Sequence, residues 1–150
     1  MSRTFTNLLT HVIFSTKNRE PLILPALQPE LHAYLGGLIK ELKGKPHAIN
    51  GTIDHVHMLI GLPPNVSTSD TLRFIKSNSS GWVHDKWPKN RAFAWQLGYG
   101  AFSVSKSNVP EVVKYIAGQE EHHRKRRFKE EFIDFLHKHE IEYDERYIWD

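Results

Sequence analysis

Asp54-His55-Val56-His57-Met58-Leu59-Ile60 alternates between polar and apolar side chains, and that alternation decides how the rest of the chain is read. Successive side chains of a strand point to opposite faces. Val56, Met58 and Ile60 therefore turn to a core, while His55 and His57 share the other face. Leu8 to Ser15 repeats the pattern. His11, Ile13 and Ser15 face one way and Val12 and Phe14 the other, in a run whose β-branched and aromatic residues favour a strand.

Working outward, Ala48 to Ile60 reads as two strands joined near Asn50-Gly51, a pair that accepts positive φ, and Pro63-Pro64 ends the second. Thr16 to Pro21 is a basic loop. Leu27, Leu31, Tyr34, Leu35, Leu38, Ile39 and Leu42 recur at helical spacing, with Pro25 and Pro29 in front and Gly44 behind. Thr68 or Ser69 can cap a helix carrying Leu72, Ile75, Ser79, Trp82 and Val83, which fades near Lys86-Trp87-Pro88. Phe93 to Ser105 alternates as a strand or a bent strand pair. Asn108-x-x-Glu111 is a capping box opening a helix to about Arg124, and Phe128, Phe132, Phe135 and Leu136 mark one more. This order predicts an α+β, ferredoxin-like antiparallel sheet with helices on one face, plus a C-terminal helical extension.

The chain has 150 residues, enough for one domain with a real core, and it contains no internal repeat and no long linker. With Cys 0, disulfide frameworks, thiolate nucleophiles and Cys-based zinc sites are excluded. No stretch approaches the roughly 18 apolar residues of a membrane span. Polar residues interrupt the opening MSRTFTNLLTHVIF, so it is not a secretory h-region. A soluble cytoplasmic protein without a membrane partner is expected. The net charge of +3 suits a polyanion partner, and the ten His are more than a chain this size usually carries.

His55 and His57, about 7 Å apart along a strand, can converge on one divalent ion. Alone this is weak, because about 0.7 His-x-His pairs arise by chance at this composition. A second pair, His137 and His139, ends a helical stretch and does not put both rings on one face. Tyr115 and Gln119 alter the balance. At helical i, i+4 spacing they share a face, and they add a nucleophile and an amide oxygen to two imidazoles. A free phenol of pKa about 10 is nearly all protonated at neutral pH, so it needs a metal-polarised electrophile.

The Asp54-His55-Val56-His57 strand followed by the Tyr115-x-x-x-Gln119 helix resembles the IS200/IS605-type single-tyrosine (Y1) transposases of the HUH endonuclease superfamily. The likeness takes in the REP-associated tyrosine transposases. Phe14-Ser15-Thr16-Lys17, Phe74-Ile75-Lys76 and the Gly98 to Ser105 strand add to it, over roughly residues 3 to 120. The resemblance implies a metal-dependent single-stranded DNA transposase. His55, His57 and Gln119 would bind Mg²⁺ or Mn²⁺. Tyr115 would attack the scissile phosphate, forming a 5′-phosphotyrosine at hairpin-bearing element ends, and a second 3′-OH would rejoin the strands. It further implies a homodimer, hairpin-bearing single-stranded DNA as partner and a nucleoid-associated location. On this reading residues 1–126 are the Y1 domain. Residues 127–150 are a helical extension packed on that domain or on the dimer partner.

Phosphate contacts are expected from Lys17, Arg19, Arg73 and Lys76. Arg124-Lys125-Arg126-Arg127 with Lys129 is the densest basic run, fit to track a nucleic acid or to favour a helix C-terminus. His122 and His123 follow Gln119 closely enough to lie near a metal, although exposed polar helix residues need no role. Two other readings stand beside the leading one. The first is a domesticated hairpin-DNA-binding protein with residual or no transposition. The second is an unrelated metal-binding ferredoxin-like protein in which Tyr115 is incidental.

Overall fold

A computed structural model describes residues 3–149, so Asp150, the end of the acidic tail, lies outside it with Met1 and Ser2. Four strands, β1 (Leu8–Ser15), β2 (Lys45–Gly51), β3 (His55–Leu62) and β4 (Gly100–Val104), form one sheet in the order β2-β3-β1-β4. Every pairing is antiparallel, with Ile13 opposite His57 and His11 opposite both Leu59 and Phe102. Helices α1 (Gln28–Glu41) and α2 (Thr68–Lys86) connect the strands. The shorter helices α3 (Val109–Ala117), α4 (Gln119–His123) and α5 (Phe128–Lys138) follow the last strand. This is the expected α+β, ferredoxin-like order with its C-terminal helices.

The helices are not confined to one face. Val12, Phe14, Val56, Met58 and Ile60 meet Leu31 and Leu35 of α1 and Leu72 and Ile75 of α2 in the main core. On the other face, Ile13 and Phe102 meet Phe128, Phe132 and Leu136 of α5, while Leu9 and Leu59 meet Ile116 of α3. The central strands carry apolar residues at alternate positions on both sides, so each face needs its own cover. Full burial of such side chains stabilises by about 1.5–3 kcal/mol each.

Local chemistry moves several boundaries. The β2–β3 turn is Thr52-Ile53-Asp54, closed by the Thr52 N–H donating to the His55 carbonyl at 3.1 Å. Asn50 instead pairs within β2, and its side-chain amide donates to the carbonyls of Ile116 at 2.9 Å and Ala117 at 3.2 Å. Gly51 avoids positive φ and is required by closeness, since a Cβ there would lie 2.1 Å from the His55 carbonyl oxygen. Ser67 caps α2 through the Asp70 N–H at 3.1 Å. Asn108 forms no capping box because a 3-10 turn over Lys106–Asn108 already leads into α3. The α3 helix then stops at Gly118 rather than near Arg124, and α4 starts afresh.

Replacing Gly51 by Ala puts a methyl against backbone that cannot turn away. The variant is expected to lose about 2–3 kcal/mol of unfolding free energy, read as a lowered urea midpoint. An unchanged midpoint would contradict this account of the turn.

Candidate active site and metal centre

The sheet face turned from the main core carries a polar cluster. β3 places His55 and His57 there, and β1 adds His11 on the same face, diagonal to His57 across the ladder. Ile116 packs on Leu9 and Leu59 and anchors α3, while the Asn50 amide holds its last carbonyls. Tyr115 and Gln119 are thereby carried to the histidines, on either side of the Gly118 break. The stripe Phe128, Phe132 and Leu136 seats α5 on the sheet and drives Glu131 in among them.

Glu131 is the hub. One carboxylate oxygen accepts from His57 Nε2 at 2.8 Å and from His123 Nε2 at 3.1 Å. The other accepts from the Tyr115 hydroxyl. His55 Nε2 stands 3.8 Å from the first oxygen. Burial alone would raise the carboxyl, but the hydrogen bonds from His123, His57 and Tyr115 hold it well below the usual range. Burial, and then the same carboxylate, push the Tyr115 hydroxyl above its ordinary value, so the phenol is kept protonated.

Behind the ligand atoms lies a second set of contacts. His55 Nδ1 donates to Asp54 Oδ1 at 2.8 Å, and the Thr52 hydroxyl steadies the same oxygen at 3.0 Å. With that N–H committed, a neutral His55 turns its Nε2 lone pair to the Gln119 carbonyl oxygen, 3.0 Å away. Two lone pairs facing at this distance call for a cation or a proton between them. His57 Nδ1 lies 2.8 Å from His11 Nε2, so the two rings share one proton and fix one another's tautomer. The ligand atoms of His55, His57, His123 and Glu131 all fall within 4.8 Å of one another. Imidazole nitrogens, a carboxylate and the Gln119 oxygen form a donor set suited to a divalent ion.

Tyr115, His55, His57 and Gln119 are thus brought together within one chain, with the Tyr115 and His57 rings 5.8 Å apart. The basic candidates scatter. Lys76 turns inward and donates to the carbonyls of Gln96 at 2.9 Å, Leu97 at 3.2 Å and Gly98 at 2.5 Å. Burial brings its amine down to about 8. Arg73 is exposed and paired with Asp70 at 2.8 Å. Lys17 is exposed in the loop after β1, and Arg19 of that loop lies over the Trp149 ring at 5.3 Å.

Sequence reasoning missed Glu131 and His11, and it placed His123 near the metal only beside a reading that gave it no role. Their signals were present. Glu131 is the acidic intruder in the stripe Phe128, Phe132, Phe135, and His11 shares a strand face with Ile13 opposite the core.

The chain has relatives among known proteins. The family described as Transposase IS200 like matches residues 4–119. Transposases for insertion sequence element IS200 of Salmonella typhimurium and Salmonella typhi are 28% identical over 129 residues, covering 79% of this chain and 81% of theirs. A protein assigned as a transposase in Deinococcus radiodurans R1 shares the fold. Its TM-score is 0.64 at 21% identity, over 79% of this chain and 95% of that one. So does a REP-associated tyrosine transposase bound to a REP hairpin, with TM-score 0.60 at 18% identity, over 82% of this chain and 73% of that one.

The buried rings set an acid limit on stability. Burial, reinforced by His57, lowers His11 from 6.5 to about 3, and burial lowers His57 to about 4 despite Glu131. Folded values below the unfolded one mean that the unfolded chain takes up protons first as pH falls. This stabilisation is therefore complete above pH 6.5 and drains away toward pH 4 and 3, by up to about 1.4 kcal/mol per pH unit for each ring. Urea unfolding at a series of pH values should show that slope, reduced in His11→Asn. A flat wild-type profile between pH 6.5 and 4 would contradict neutral buried imidazoles.

Proposed function

The chain belongs to the IS200-like transposase family, whose match takes in residues 4–119 of its 150, and on that premise we propose that Tyr115 is the nucleophile of a metal-dependent strand transfer. Transposases of this type are DNA strand transferases, so the protein is an enzyme of that class. The observation that carries the finer reading is the convergence of Tyr115, His55, His57 and Gln119 in one chain around facing lone pairs.

His55, His57 and Gln119 would hold the ion, with His123 and Glu131 in reach as further ligands. A divalent ion bound there supplies Lewis-acid polarisation of the scissile phosphate. Imidazole nitrogens hold Mn²⁺ more readily than Mg²⁺, so Mn²⁺ is the better candidate of the two. Asp54 and His11 orient the two imidazoles through their Nδ1 atoms, and α5 excludes water from the cluster.

Tyr115 attacks the scissile phosphate. Its phenol oxygen bonds to phosphorus, the P–O3′ bond breaks, and the upstream strand leaves as an alkoxide that takes a proton from water to become a 3′-OH. The phenol proton has Glu131 as its hydrogen-bonded acceptor. The 5′-phosphotyrosine conserves the bond energy, so a second 3′-OH can displace Tyr115 and rejoin DNA without an external source. The REP hairpin bound by the structural neighbour supports a hairpin-bearing single strand as substrate, which would place the protein at the nucleoid.

On this reading one chain would supply every group of the site. In this reading the homodimer serves to hold two element ends together, not to complete the chemistry. Residues 1–126 form the catalytic unit, and 127–150 an extension of it that brings Glu131.

Tyr115→Phe is expected to abolish the covalent protein–DNA adduct on denaturing gels while hairpin binding persists. Cleavage at the same position by the Phe variant would remove Tyr115 as nucleophile. His57→Ala should weaken Mn²⁺ binding by at least about tenfold in calorimetry, in line with loss of a ligand, and an unchanged titration would strike it from the set.

A further inference from the structure

Two cavities flank the Tyr115–Glu131–His123 arrangement, and Arg126 lines both. The first, of about 980 Å³, opens beside Tyr115. Its charges nearly cancel, with Lys114, Arg126 and Lys138 set against Glu111, Glu121 and Asp134. The second, of about 610 Å³, opens beside His123 and Asp54, which touch Glu131 and His55 respectively. Here Arg19, Arg124, Arg126, Arg127 and Lys129 face only Asp54 and Glu120. Asp54 is already engaged by His55.

These cations come from segments far apart in sequence, and the fold gathers them deliberately close. Trp149 ties two of them together: Arg19 lies 5.3 Å and Lys129 5.0 Å from its ring centre. The loop after β1 and the start of α5 thus share one wall, with Trp149 packed against a cation from each. Arg124 and Arg126 are partnered by Glu121 and Asp134, but Arg127 makes no ion pair among the described residues. Asn18 and Thr52 add hydrogen-bonding side chains. A concave recess of this size admits a nucleotide-wide chain and excludes a duplex, and its excess positive charge selects a polyanion.

We infer that this basic cavity holds the sugar–phosphate backbone of the single strand continuing from the cleavage site, so that the strand runs past His123 toward Tyr115. The inference rests on the reading of Tyr115 and the histidines given above. It gives the basic run 124–129 and the C-terminal Trp149 a joint role that lies beyond residues 4–119 of the family match.

The test is fluorescence anisotropy of labelled oligo(dT) with the full chain over a range of salt. The variant Arg124→Ala/Arg127→Ala/Lys129→Ala is compared with Lys40→Ala/Lys43→Ala/Lys45→Ala, which removes equal charge from exposed positions around the end of α1. The first should bind at least about tenfold more weakly and lose about two from its log–log salt slope, at roughly 0.7 per phosphate contact. The second should match wild type. Equal weakening of both, or oligo(dT) binding untouched by the first, would overturn the path. Failure of the Tyr115 adduct with these affinities as expected would instead strike the chemistry and leave the path standing.

Discussion

A carboxylate taken almost wholly out of water has to be matched by donors, and Glu131 is matched by His57, His123 and Tyr115. Breaking such a buried arrangement by removing one partner costs about 3–5 kcal/mol. The organisation of the distal sheet face follows from that constraint. The apolar stripe of α5 supplies the burial, the strand histidines supply the donors, and the tyrosine helix is held at the one distance that lets its hydroxyl join. Stability and the proposed chemistry therefore draw on the same contacts, and nothing that loosens α5 leaves the Tyr115 hydroxyl where it stands.

The sheet makes this possible by separating its two faces. β1 and β3 pair along their full length, and the same alternation that fills the main core with Val12, Phe14, Val56, Met58 and Ile60 lines up His11, His55 and His57 behind it. Register does the positioning, because a slip of one residue would exchange core and site. Gly51 and the Thr52–Asp54 turn fix the register of β3 against β2, and Asp54 also orients His55. The turn is thus part of the site's support.

How far the sequence could be read depended on the range of the forces involved. Local alternation and periodicity placed β1, α1, α2 and the His55–His57 strand correctly, since each is decided by neighbouring residues. Asn50-Gly51 misled because the Asn50 amide answers to distant α3 and the missing side chain of Gly51 to the backbone facing it across the turn. Lys76 looked like a phosphate ligand but serves the carbonyls of the 96–98 loop, which only the tertiary fold brings near. Helices on both faces follow from Leu9, Ile13, Leu59 and Phe102. Their burial is visible only when the post-sheet helices are seen to cover them. Tyr115 and Gln119 were legible as a spaced pair. Glu131 was not, because its meaning lies in the histidines it meets across the fold.

The central claim is that one chain assembles a divalent-ion site from His55 and His57 with its own Tyr115 beside it. Anomalous diffraction from crystals soaked in Mn²⁺ tests this most directly. The account predicts a peak bonded to His55 Nε2 and His57 Nε2, adjacent to Tyr115 of the same chain. A peak at other residues, or none at these two nitrogens, would contradict it.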